Sequence, residues 1–164
     1  MPATTIKGNI LTGDGFIRGV LRTDTQGRVA EISGEVVDLA RVRDSAEPML
    51  LPGFIDTHVH GGGGRDTMEG GIAVPEIAQV HVKYGTTALL ATTMTAPAED
   101  LETAFVGLGE VCRTRPQRGA RVLGVHLEGP YINAAMLGAQ PDFARPFLPA
   151  ELIRLHSLAP IRLI

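Results

Sequence analysis

The chain has 164 residues, of which 44% are hydrophobic and 20% charged, and its net charge is −3 with histidine neutral. This balance supports a buried core in a chain of one ordinary domain's length, and the scattered charges argue against nucleic-acid or anionic-membrane partners. A single cysteine, Cys112, excludes an internal disulfide and fits a reducing compartment. The opening MPATTIKGNIL lacks the layout of a signal peptide, and no apolar run approaches the ~20 residues that span a bilayer, so the expectation is a soluble, cytoplasmic chain.

Residues 1–48 alternate short β-type runs (TIKGNIL, FIRGVLRT, RVAEI, EVVDL) with turn signals at Gly13-Asp14-Gly15 and Gln26-Gly27. This predicts a hairpin-rich all-β segment joined to the rest by Asp44 to Pro48. From Met49 the rhythm changes. MLLPGFIDTHVH reads as a strand, and residues 72–84 as a helix with Pro75 in its first turn and Gly85 past its end. TTALLATT, residues 86–93, reads as a buried strand. Residues 98–114 form an amphipathic helix that places Leu101, Ala104, Phe105, Leu108, Val111 and Cys112 on one face. RVLGVHLEGP is a further buried strand. After it come a long loop, a short helix over 150–158 and, at Ile161 to Ile164, the start of one more strand.

Continuous apolar strands alternating with helices predict a parallel sheet covered by helices. The expected fold is α/β: a partial (β/α)8 barrel of the first three to four βα units over 49–164, preceded by part of a small β-sandwich over 1–48. Such barrels need eight strands and typically ~250 residues, so the chain reads as truncated.

The chemistry gathers at the strand ends. His58 and His60 alternate onto one face at the C-terminal end of their strand, where α/β barrels keep their functional residues, and Asp56 precedes them by two. A bare His-x-His is weak evidence of a metal. The apolar lead-in, the strand-end position and the glycines at 61–64 strengthen it. Glu128 ends the third strand at the same mouth, and a buried carboxylate there is reasonable if it meets a cation. His126, two residues earlier, reads as a packing or supporting residue. His81 and His156 read as surface or core positions rather than ligands. The following loop offers Tyr131, Asn133, Gly138, Ala139 and Gln140 as polar or backbone contacts, with turn formation an equally simple reading.

Three segments, LPGFIDTHVHGGGG, KYGTTALLATTMTAP and GVHLEGPYINAAMLGAQP, together resemble the first three barrel-strand motifs of the N-acetylglucosamine-6-phosphate deacetylases, in the amidohydrolase superfamily. The first is shared widely among amidohydrolases, whereas the HLEGP segment and its continuation are far more specific. The resemblance implies metal-dependent removal of the acetyl group from N-acetylglucosamine 6-phosphate, a small amino-sugar phosphate. It implies metal ligands at His58, His60 and Glu128 for one or two divalent ions, zinc or iron, and substrate contacts from Gly138, Ala139 and Gln140. Some relatives have histidine where Gln140 stands. The catalytic aspartate, further metal histidines and the rest of the sandwich would lie beyond residue 164, and the full-length family implies a homodimer. The isolated chain is therefore expected to be inactive. Two other readings compete: a cyclic-amide or nucleobase hydrolase, against which a glutamate at the third strand argues, and a non-catalytic piece that needs a partner chain.

Overall fold

The computed structural model describes residues 2–114 and 118–164. The chain separates into two compact units, residues 1–52 and 53–164.

The first unit is a four-stranded sheet. β1 (Thr5–Thr12), β2 (Gly15–Thr23) and β3 (Val29–Val37) form an antiparallel meander, and β4 (Met49–Leu50) adds parallel to β1, giving the order β3-β2-β1-β4. Both turns follow local chemistry. The Thr12 hydroxyl donates to Gly15 O at 2.9 Å, and Asp24 Oδ1 accepts from the N–H groups of Gln26 and Arg28 at 2.8 and 2.9 Å. A short helix, α1 (Leu39–Arg43), begins where Asp38 accepts from Arg41 N–H at 2.8 Å. The final expected β run, EVVDL, thus ends in a helix cap. Asn9 is fully buried and fully occupied: its N–H donates to Pro48 O, its amide nitrogen to Glu47 O, and its Oδ1 accepts from Arg18 Nε.

The expected strand from Met49 to His60 is two strands in different sheets. Met49–Leu50 pairs with β1, whereas β5 (Phe54–Val59) opens the second sheet. Pro52 separates them because it has no N–H to give a ladder. After β5 come the two-residue strands β6 (Gly61–Gly62) and β7 (Arg65–Asp66), then a 3₁₀ turn over Thr67–Ile72. A capping box starts that turn: Asp66 accepts from Met68 N–H at 2.8 Å, and Glu69 accepts from Asp66 N–H at 2.7 Å. The expected helix follows directly as α2 (Ala73–Val82).

β8 (Thr86–Thr92), α3 (Ala98–Arg113), β9 (Arg121–His126), a 3₁₀ turn (Ala134–Met136), α4 (Pro149–Leu158) and β10 (Ile161–Leu163) complete the unit. The strands lie in the order β10-β9-β8-β5, all parallel. Strands therefore neighbour one another in chain order, each crossover carries helix, and the fold is a partial (β/α)8 barrel. Ala73, Val74 and Ile77 of α2, Leu101, Phe105 and Leu108 of α3 and Leu155 of α4 share one core with Leu89, Val122 and Val125 of the sheet. The helical spacing of the expected α3 face holds, with Cys112 half-buried at its margin.

Candidate metal centre

β5, β8 and β9 run parallel, so their C-terminal ends share one rim. His58 lies within β5 and His60 just past it. Glu128 stands two residues beyond the end of β9 rather than on the strand itself. The structure brings the three side chains together. His58 Nε2 and His60 Nε2 are 3.0 Å apart, and they approach Glu128 Oε2 to 3.0 and 2.8 Å. Among the described residues this is the group whose donor atoms, all within 4.8 Å, could hold one ion.

Glu128 Oε2 is buried and accepts no hydrogen bond, although two imidazole nitrogens lie within contact distance. Their approach does not follow hydrogen-bond geometry. Two imidazole nitrogens within hydrogen-bond distance of each other and close to a carboxylate oxygen that accepts no hydrogen bond form a donor set that fits a divalent cation. The donor set of two imidazoles and a carboxylate suits zinc and similar ions. His60 Nδ1 is also buried without a partner among the described residues. The acceptor that normally steadies a ligating imidazole is therefore missing from this part of the chain.

The other sequence candidates fall outside the cluster. Asp56 is half-buried, and its Oδ1 accepts His58 N–H at 3.1 Å. His81 uses Nε2 on Gly61 O at 3.0 Å, which pins the glycine turn after His60. His156 Nδ1 accepts Ile161 N–H at 3.2 Å and joins α4 to β10. His126 is buried, with its ring edge-on to His58 at 4.8 Å between centroids. Burial pushes its pKa below the usual histidine value, and His58 and His60 push the same way against Glu128.

The long loop after β9 is strapped to the loop after β8. Gln140 Oε1 accepts Thr95 N–H at 2.7 Å, and its amide nitrogen reaches Met94 Sδ at 3.7 Å. Gly138 and Ala139 are exposed, Gly138 with φ +62°. Arg145 donates to Ala96 O at 2.8 Å and pairs with Glu151 at 2.5 Å, and Glu151 accepts Tyr131 OH at 2.9 Å. The Arg145 guanidinium holds the Glu151 carboxyl below its usual range, and the Tyr131 hydroxyl adds to the effect against burial. The sequence does not single out Thr67 and Thr92, whose hydroxyls bond the C=O and N–H of Val59, the residue between the two histidines. The Thr67 hydroxyl donates to Val59 O at 3.1 Å, and Thr92 Oγ1 accepts Val59 N–H at 2.8 Å. Threonine at a strand end is a signal for such bonds, but it is also ordinary strand composition.

Comparison with known proteins decides the relationship. The N-acetylglucosamine-6-phosphate deacetylase of Bacillus subtilis is 38% identical over 109 residues, covering 64% of this chain and 28% of its own length. The N-acetylgalactosamine-6-phosphate deacetylase of Escherichia coli O157:H7 is 35% identical over 152 residues, covering 92% of this chain and 39% of its own. A Mycobacterium smegmatis N-acetyl-D-glucosamine-6-phosphate deacetylase variant, solved in complex with N-acetyl-D-glucosamine-6-phosphate, superposes with a TM-score of 0.73. It shares 29% identity and covers 95% of this chain and 40% of its own. The chain is homologous to the N-acetylglucosamine-6-phosphate deacetylases. No family model matches it. The chain spans about a third of the length of these curated relatives, between 28% and 39%. Among the described residues no helix is long and apolar enough to cross a membrane.

Proposed function

We propose that residues 1–164 supply the His58, His60 and Glu128 part of a metal-dependent deacetylase acting on N-acetylglucosamine 6-phosphate, with glucosamine 6-phosphate and acetate as products. One observation carries the reading. Two imidazole nitrogens meet a buried, hydrogen-bond-free carboxylate oxygen at the C-terminal rim of a partial barrel in a homologue of these enzymes. Residues 53–164 stand as the first portion of the barrel and 1–52, to which Met49–Leu50 adds a strand, as part of the small sandwich.

His58 Nε2, His60 Nε2 and Glu128 Oε2 would hold a divalent ion, zinc or iron, and the family resemblance implies one or two such ions. When bound, it supplies Lewis acidity that polarises the amide carbonyl and lowers the pKa of water. Three protein ligands are the usual number for a catalytic zinc site, which leaves a position for substrate or water. Glu128 brings the negative charge that offsets part of the ion's own. His58 and His60 bind as neutral imidazoles, so acid competes with the ion for them. The loop carrying Gly138 and Ala139 lies open for a sugar. Gln140 is committed to Thr95 and acts on substrate through the loop's position. Protonation of the leaving amine requires an acid, which the resemblance places in an aspartate beyond residue 164. The reading also takes a homodimer and a cytoplasmic setting, supported by the family resemblance and the free Cys112 thiol.

The 35% identity to a galactosamine-type enzyme over most of the chain favours a second reading, in which N-acetylgalactosamine 6-phosphate is the substrate. Both are tested by joining residues 1–164 to the complementary portion of the Bacillus subtilis relative and measuring acetate release from each sugar phosphate. The proposal expects turnover of the glucosamine type, abolished by Glu128→Gln. Turnover of the galactosamine type alone would transfer the assignment to the second reading. A folded chimera inert on both would contradict the proposal.

A further inference from the structure

Val59 separates His58 from His60 in sequence. The register of β5 against β8 shifts between Asp56 and Val59, so the backbone leaves the regular ladder where the histidines are presented. At that point Val59 N–H donates to a side chain, Thr92 Oγ1, at 2.8 Å. Thr92 is the last residue of β8, the strand between β5 and β9, and it is fully buried. The same Oγ1 lies 3.3 Å from His126 Nδ1 on β9. One hydroxyl therefore touches both strands that flank its own.

A hydroxyl has one proton and two lone pairs. Val59 N–H occupies a lone pair. Among the described residues, His126 Nδ1 is the group beside Thr92 Oγ1 able to take its proton. A buried hydroxyl proton left unpaired is costly, so the bond runs from Thr92 to His126. Nδ1 is then the acceptor, and the neutral ring carries its proton on Nε2. That ring packs edge-on against His58, at 82° between planes.

We infer that Thr92 is a positioning residue for the His58/His60/Glu128 centre: its hydroxyl takes Val59 N–H and gives its proton to His126 Nδ1. One side chain thereby fixes the backbone between the two histidines and the tautomer of the imidazole packed against them. The effect on metal affinity rests on the metal reading above, whereas the tautomer does not.

Nitrogen-15 spectra of the imidazoles in the 164-residue chain at mildly alkaline pH, paired with zinc titration of the same samples, test this. The expected wild-type spectrum shows His126 protonated on Nε2. Thr92→Ser keeps that tautomer and zinc affinity within about threefold, because the hydroxyl remains. Thr92→Val keeps the shape and loses the hydroxyl. It should disturb the His126 tautomer and weaken zinc binding about 10–100-fold, the usual effect of removing a group that orients metal ligands. A wild-type His126 protonated on Nδ1 would overturn the inference. So would a folded Thr92→Val chain with unchanged tautomer and affinity, or a Thr92→Ser chain as impaired as Thr92→Val. If the wild type binds no zinc, the metal reading fails and the tautomer still decides the role of Thr92. If Thr92→Val does not fold, the wild-type and Thr92→Ser spectra decide it.

Discussion

Glu128 and Gly129 show how little freedom the rim has. Gly129 takes φ +70°, and a methyl group there would overlap Thr95 Oγ1. A left-handed backbone costs an L-residue ~1–2 kcal/mol, and overpacking adds ~1–3 kcal/mol. Gly129→Ala should therefore lower stability by about 2–5 kcal/mol, read from urea melts. It should also lower zinc affinity, because Glu128 precedes the strained residue. Unchanged melts would show that the loop relaxes freely. His58, His60 and Glu128 were legible as residue types because their strand-end placement puts them at one mouth. The bonds of Thr92 and Thr67 were not, since strand threonines are chemically silent until a neighbour's backbone is located. The role of Gln140 was also out of reach: its bond to Thr95 N–H spans two loops whose approach no local pattern encodes.

At the scale of elements, the loop after β9 is held by Arg145, Glu151 and Tyr131. Glu151, mostly buried, accepts from both partners, and its pKa is lowered chiefly by the Arg145 hydrogen bond. The folded state thus binds this proton less readily than the unfolded chain does. The stabilisation is complete above the ordinary value of 4.5 and is lost as pH falls through the lowered folded value. Glu151→Gln should cost about 1.5–3 kcal/mol near neutrality, typical of charged hydrogen bonds, and should flatten the acid side of the stability profile. An acid limb as steep as wild type would assign the pH dependence to other groups. Element type was readable from apolar spacing, as α3 shows. A boundary failed where a proline interrupts a strand: Pro52 splits the strand expected from Met49, and the 3₁₀ turn that the Asp66–Glu69 capping box starts before α2 carried no apolar pattern to mark it. Two helix glycines also went unread. A Cβ at Gly107 would overlap the backbone at Gly71, and one at Gly109 would overlap Leu158 O, so α3 needs both for close approach.

At the scale of the whole molecule, the parallel sheet of the second unit ends in two open strands. β5 exposes Phe54 and Ile55, at 61% and 64%, and the end of β10 and the residue after it expose Leu163 and Ile164, at 41% and 64%. Unpaired strand edges with exposed apolar side chains invite association. The 164-residue polypeptide on its own should self-associate with rising concentration and be cut readily by protease. A compact, resistant, monodisperse monomer in light scattering would contradict this. The barrel architecture was legible because strand and helix signals alternate in chain order and the sheet keeps that order.

The most direct test of the account is a calorimetric zinc titration of the metal-stripped chain, wild type against Glu128→Gln. The account predicts binding at His58, His60 and Glu128. Loss of the carboxylate charge should weaken it by more than the ~100-fold upper range for a supporting residue. Equal affinity in both proteins, or no binding by the folded wild type, would contradict the metal centre on which the functional proposal stands.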